Sequence, residues 1–184
     1  MKQSKQDIEL GRFLSLVLRH QPSAAGIKLD AQGWADVRQL LAGCNRVGKQ
    51  IDRVTLERIV KDNSKQRYRF NDDRTKIRAN QGHSLAVDVE LQETTPPDVL
   101  YHGTASRFVE SIRAEGIKKG SRQHVHLSKD IETAIQVGGR HGKPVLLPVD
   151  AAAMYRSGHK FYLSENGVWL CDYVPREYVL NEEA

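Results

Sequence analysis

Three arginines stand beside imidazole or apolar neighbours. Arg19 precedes His20, Arg69 precedes Phe70, and Arg122 lies just ahead of His124-Val125-His126. A guanidinium is a permanent planar cation whose paired donors match two oxygens of a phosphate, so a set of them brought together by folding would grip a phosphoryl group. Residue type alone also allows each to end in a surface ion pair. His20 titrates near neutrality and can supply a proton as well as a hydrogen bond. His124 and His126 alternate on a strand-like stretch, so they share a face, and with His102 or His141 they could ligate a metal. No carboxylate accompanies them as HxHxD, and a metal-free site is expected. Gly103, directly after His102, lets another group approach a strand end closely, as in a ligand pocket or a tight turn.

Other chemistries lack their residues. There is no GxGxxG after a strand and no GxxxxGK[ST], so neither a Rossmann fingerprint nor a P-loop is encoded. Gly138-Gly139-Arg140-His141-Gly142 reads more simply as a helix C-terminus and loop than as a phosphate cradle. Cys44 and Cys171 lie far apart with no CxxC spacing, which leaves neither a zinc site nor a disulfide framework and makes a reducing cytoplasm the expected compartment.

The elements that must position these groups can be read from periodicity. Leu10, Phe13, Leu14, Val17 and Leu18 form a helical stripe that stops at Arg19-His20-Gln21-Pro22, because proline biases Gln21 away from helical geometry. Arg19 and His20 then fall in the final turn. Further helices are predicted over Trp34–Cys44 and Asp52–Lys61, followed by a period-two hairpin, Arg67–Phe70 and Lys76–Ala79. That order is that of a winged helix, a fold often used to hold nucleic acid. On the first strand Arg67 and Arg69 point one way, Tyr68 and Phe70 the other.

Thr94-Thr95-Pro96-Pro97-Asp98 is the best boundary, since consecutive prolines cannot donate ladder hydrogen bonds. Beyond it the sequence predicts strands at Val99–His102, Val125–Leu127, Pro144–Val149, Lys160–Leu163 and Val168–Leu170. One helix is predicted over Phe108–Glu115 and another after Ser128, whose hydroxyl can cap it. Ser164-Glu165-Asn166-Gly167 is a hairpin turn. The fold class is α+β in two lobes, 1–95 and 96–184.

The 184 residues carry a net charge of +5, with 28% charged and 39% hydrophobic side chains. No apolar run approaches the ~20 residues that span a bilayer, and the N-terminus lacks a secretory core. Residues 1–95 hold 17 Lys+Arg against 12 Asp+Glu, whereas 96–184 hold 11 of each, so the excess positive charge lies entirely in the first half. One part is suited to meet a polyanion while the other does something else.

The set Leu18-Arg19-His20-Gln21-Pro22, Arg69-Phe70, Ile77-Arg78-Ala79-Asn80-Gln81-Gly82-His83-Ser84, Tyr101-His102-Gly103-Thr104, Arg122-Gln123-His124-Val125-His126-Leu127-Ser128 and Asn166-Gly167-Val168-Trp169 closely resembles the KptA-type RNA 2′-phosphotransferases, from about residue 8 to residue 175 and in the family's order. The resemblance implies a winged-helix RNA lobe followed by an ADP-ribosyltransferase-like NAD lobe. It also implies an enzyme that removes an internal RNA 2′-phosphate, as left in tRNA splicing, with NAD consumed as co-substrate and no metal. In that chemistry the 2′-phosphate displaces nicotinamide, and the ribose 2″-hydroxyl then attacks phosphorus, giving 2′-OH RNA and ADP-ribose 1″,2″-cyclic phosphate. Arg19, His20, Arg69 and Arg122 match the catalytic tetrad, with Arg67 competing with Arg69 for the third place. His102, Gly103, Thr104, His126 and Val168 match NAD-binding positions, and Arg78, Gln81, His83 and Ser84 look like RNA or phosphate contacts. Val168 stands where many ADP-ribosyltransferases carry a glutamate, which disfavours ordinary protein ADP-ribosylation. The expected partner is a tRNA-like RNA with an internal 2′-phosphate, and a monomer is expected. Two alternatives stay open: an enzyme that caps terminal phosphates of nucleic acid with ADP-ribose and stops, and a non-catalytic RNA-binding module.

Overall fold

The first helix begins where the sequence supplies a cap. In the computed structural model, which describes residues 4–180, the Ser4 hydroxyl accepts from the Asp7 amide and starts α1 (Lys5–Arg19). Its buried residues Leu10, Leu14, Val17 and Leu18 follow the three-and-four spacing of one helical face. His20 is the C-cap, its amide still bonded to the Leu16 carbonyl, and Pro22 opens a 3-10 turn instead of continuing the helix. β1 (Ala35–Asp36), α2 (Val37–Arg46) and α3 (Arg53–Lys61) follow, the helices capped by the carboxylates of Asp36 and Asp52. The second helix therefore starts at Val37 and not at Trp34, because Ala35 and Asp36 pair with Ile77 and Lys76 across the sheet.

β2 (Tyr68–Phe70) and β3 (Lys76–Ala79) form the expected hairpin, and β1 adds to it in the order β1-β3-β2. The core joins all these elements through Leu14, Leu18, Leu40, Leu56, Ile59, Tyr68 and Ile77. Tyr68 also donates its hydroxyl to the Gly11 carbonyl at 2.6 Å, tying β2 to the helix that carries Arg19.

The described residues part into two compact units between Glu90 and Leu91, upstream of the Pro96-Pro97 pair. The reason is pairing: β4 (Gln92–Glu93) lies on β9 (Tyr162–Leu163), so this stretch belongs to the second unit. That unit continues with β5 (Val99–Ala105), α4 (Val109–Glu115), β6 (Ile117–Lys118), β7 (Val125–Leu127), α5 (Ile131–Gly138), β8 (Pro144–Asp150), α6 (Ala151–Arg156), β10 (Trp169–Cys171) and β11 (Tyr173–Val174). The strands form three antiparallel sheets, β4-β9-β10-β7, β5-β8 and β11-β6, which with the helices make the chain mixed α+β. Leu100, Val125, Leu127, Leu147, Val149, Met154, Phe161 and Trp169 build its core.

Besides the short strands β4, β6 and β11, which the sequence does not predict, the helices of this unit differ from expectation. Asp130, not Ser128, caps α5: its carboxylate accepts from the Thr133 amide at 2.7 Å, while the Ser128 hydroxyl bonds the backbone of Asp130 itself. The charged acceptor sits two residues nearer the orphan amides, and Ser128 is held instead in a bridge with Tyr101. α6 was not anticipated because its six residues are too few to show a period; Asp150 caps it through the Ala153 amide. Among the described residues no helix is long and apolar enough to cross a membrane.

Candidate functional site

In the first unit, the end of α1 places Arg19 and His20 in succession where the backbone stops being helical. The loop after β3 returns to them: the Ser84 amide donates to the Arg19 carbonyl at 3.0 Å, and the Ser84 hydroxyl lies 3.0 Å from His20 Nδ1. His20 is exposed and Arg19 half-buried, with its Nε and one terminal nitrogen shielded from water. Ser84 thus orients the His20 ring through Nδ1. Behind this pair lies His83, 1% exposed, in the field of Arg19, His20 and Arg78. Burial first, and those cations second, push its pKa down to about 4, opposed only by a contact with the Leu18 carbonyl. Neither of its ring nitrogens makes a well-aligned hydrogen bond among the described residues, so it is a neutral packing element at neutral pH.

Arg69 sits on β2 directly opposite Arg78 on β3, so both side chains share one face of the sheet. Arg78 is 2% exposed; its Nη1 donates to the Gln32 carbonyl at 3.2 Å and to Glu90 at 3.1 Å, and its Nη2 to the Val89 carbonyl at 3.1 Å. Of the four residues expected to meet RNA or phosphate in this unit, Arg78 and His83 are therefore turned into the protein, where they brace the loop. Gln81 is half-buried and Ser84 exposed. Arg67 is half-buried at the start of the hairpin, its carbonyl bonded by the Asn80 amide.

In the second unit, the sheet alternates cleanly. Val125, Leu127, Trp169 and Cys171 face the core, whereas His126 and its cross-strand partner Leu170 face the other way. Arg122 Nη1 donates to His126 Nδ1 at 3.2 Å. Because a guanidinium only donates, His126 must accept through Nδ1, and its proton then resides on Nε2. His102 Nδ1 lies 3.1 Å from the His126 carbonyl, which only accepts, so the His102 proton is on Nδ1 and its Nε2 is an acceptor. Burial foremost, aided by Arg122, lowers the His102 pKa and keeps it neutral, while its bond to the His126 carbonyl opposes that shift.

His102, Gly103 and Thr104 are consecutive on β5, and their roles divide. Thr104 is 7% exposed, within the strand body. The space in front of Gly103 is taken by α5: a Cβ there would stand 1.6 Å from the Ala134 carbonyl oxygen and 3.1 Å from the Gly138 amide. Gly138 faces it in turn, a Cβ on it meeting the Thr104 oxygen at 2.5 Å. The group that approaches the strand at this glycine is a helix backbone. Val168 is half-buried in the turn that ends the Ser164–Gly167 hairpin, one residue before β10. His124 leans on Tyr162, ring centroids 5.9 Å apart. The side chain of His141 lies outside the described residues. Among the described residues no cluster of three or more His, Cys, Asp or Glu is placed to hold a metal ion. Cys44 and Cys171 are buried thiols whose pKa burial raises to about 11 and about 12.

Trp34 is the residue whose importance the sequence did not signal. Its place in the sequence predicts the start of a helix, yet it packs against Arg69 and Arg78, a contact made only by strand pairing.

Comparison with known proteins adds a likeness over most of the chain. Residues 5–173 match the family described as RNA 2′-phosphotransferase, Tpt1/KptA family. Proteins named probable RNA 2′-phosphotransferase are 56% identical in Flavobacterium johnsoniae, over 92% of this chain and 93% of that one, and 56% identical in Fusobacterium nucleatum, over 94% and 97%. A third, from Hahella chejuensis, is 54% identical over 91% of this chain and 90% of its own.

Proposed function

The chain belongs to the RNA 2′-phosphotransferase (Tpt1/KptA) family, and on that premise we propose that it transfers an internal RNA 2′-phosphate to NAD. The products are 2′-OH RNA, nicotinamide and ADP-ribose 1″,2″-cyclic phosphate. The observation that carries the reading is the Arg19–His20 pair at the end of α1, held by Ser84 through both backbone and side chain. Phosphate recognition needs cationic donors whose positions are set before the ligand arrives.

In this mechanism Arg19 and Arg69 hold the phosphate oxygens, and the His20 ring, kept in place by Ser84, joins them as a hydrogen-bonding and proton-supplying group. Arg122 neutralises charge that builds in the second displacement. The element order α1-β1-α2-α3-β2-β3 supports a winged-helix reading of the first unit as the RNA-binding part.

His102, His126 and Val168 are the residues of the second unit suited to hold NAD. Their fit rests on the side-chain set: two half-buried imidazoles whose Nδ1 atoms are fixed in opposite senses, His102 donating to the His126 carbonyl and His126 accepting from Arg122, beside an aliphatic side chain. Gly103 and Thr104 contribute through the backbone path of β5. When bound, NAD supplies the electrophilic ribose carbon and a leaving nicotinamide. Val168 offers no acceptor for a ribose hydroxyl, so the cationic residues carry the second displacement.

The test is direct. Purified protein, given NAD and an oligonucleotide with one internal 2′-phosphate in the presence of a chelator, is expected to yield both 2′-OH RNA and the cyclic phosphate. Folded protein that yields neither defeats the proposal. An ADP-ribose adduct on the RNA that persists with the unmodified protein points instead to a one-step transferase. Arg122→Ala is expected to accumulate such an adduct; turnover equal to the parent's removes Arg122 from the site.

A further inference from the structure

Arg69 and Arg78 are like charges placed directly opposite each other on neighbouring strands, an arrangement that by itself repels. Both guanidinium carbons lie over the ring of Trp34, Arg78 at 4.5 Å from the centroid and Arg69 at 5.4 Å. The electron-rich face of an indole attracts cations, so one aromatic plate offsets the repulsion of the pair. Two of the three partners are anchored. Arg78 is buried and bound to two carbonyls and Glu90. The backbone of Trp34 is closed into a turn by Asp30, whose carboxylate accepts from the Trp34 amide at 2.9 Å and whose own amide donates to the Trp34 carbonyl at 2.9 Å. Lys76 holds the same carboxylate at 3.0 Å. Ala35, the next residue, is fixed opposite Ile77 in the sheet. The long Arg69 side chain rests against a ring whose backbone is tied down and a cation bound to three acceptors.

We propose that Trp34 is a positioning residue for Arg69, with buried Arg78 as its anchor, so that the Arg69 head is aimed before a 2′-phosphate binds. The inference rests on the reading of Arg69 as a phosphate-binding group. A guanidinium restricted by stacking loses less conformational freedom when it binds an anion. The effect of losing the plate therefore falls on recognition of the phosphorylated strand and leaves NAD recognition alone.

Trp34→Leu is expected to raise KM for the 2′-phosphorylated oligonucleotide about tenfold with KM for NAD unchanged, and Trp34→Phe, which keeps a π-face, to stay within about threefold of the parent. In an Arg69→Ala background Trp34→Leu should add no further loss. Equal effects of Leu and Phe, or additive effects in that background, overturn the proposal. Should Trp34→Leu fail to fold, fluorinated tryptophans incorporated in a Trp169→Phe background weaken the ring's negative face while keeping its shape; a graded rise in KM supports the proposal and a flat series overturns it. The Arg69 Nε–H resonance gives a readout independent of turnover. It is expected to carry a ring-current shift that vanishes in Trp34→Leu and to move when the 2′-phosphorylated oligonucleotide is added. A protein that shows the ring-current shift and binds the oligonucleotide without turning it over defeats the transferase reading alone, whereas an active protein lacking that shift defeats the Trp34 inference alone.

Discussion

At the scale of single residues, the first unit places its two histidines in opposite surroundings, one exposed and one buried. His20 is exposed and tied to a hydroxyl, so its ring is oriented without being desolvated. Ser84→Ala removes that tie, and is expected to lower kcat about tenfold and alter the pH profile of kcat, as suits the loss of one hydrogen bond to a working imidazole. A profile identical to the parent's would show that Ser84 acts only through its backbone bond to Arg19. His83 is the converse case, with its folded pKa lowered to about 4 from an ordinary 6.5. The unfolded chain takes up a proton as pH falls through 6.5, and the folded protein refuses it until about 4. Stability is accordingly complete above that window and is lost progressively within it, by at most about 3 kcal/mol. His83→Leu should flatten this part of the acid limb in denaturant titrations at several pH values; an unchanged limb would assign the loss to other groups.

At the scale of elements, the second unit depends on how closely α5 lies on β5. Gly103 and Gly138 face each other's backbone, and an added methyl at Gly103 has no flexible neighbour to displace. Gly103→Ala is expected to destabilise by about 3 kcal/mol or more, visible as a lowered denaturation midpoint, because the helix must lift off the strand. His102 precedes this glycine on the same strand, so activity and stability should fall together. The helix also gives a clean comparison at its start. Asp130→Ala should cost about 1 kcal/mol, the usual worth of a lost N-cap, whereas Ser128→Ala should cost less, since its hydroxyl bonds Asp130 and caps nothing. Equal losses would mean that the serine supports the capping turn as much as the aspartate does.

At the scale of the whole molecule, the structural division sharpens the charge partition. Up to Glu90 the chain holds 17 basic and 11 acidic side chains, and from Leu91 onward 11 basic and 12 acidic. A polyanion is drawn to the first unit and has no net attraction to the second. RNA binding is therefore expected to weaken steeply between about 50 and 200 mM salt, as release of counterions requires, while KM for NAD, in the role proposed for it, should change far less. Measuring both constants across that range checks the assignment, and parallel salt dependences would contradict it.

Much of this was legible in the chain alone. Helix α1 and its stop were written in an apolar stripe followed by proline, and the β2–β3 hairpin in a change of period. The family was recognisable because its motifs stand in order along the chain, and the candidate site is proposed on that likeness. Local signals of this kind depend on neighbours a few positions apart, and local sequence contains them. Tertiary structure decided what depends on distant partners. It turned Arg78 and His83 inward, because their acceptors and neighbours come from residues 18–33 and 89–90. It moved the start of α2, gave β4 to the second unit, and set a helix against Gly103. It also made a plate of Trp34. Side-chain burial and cross-strand pairing are properties of chain segments brought together from far apart, and no periodicity in one segment specifies which face of another it will meet.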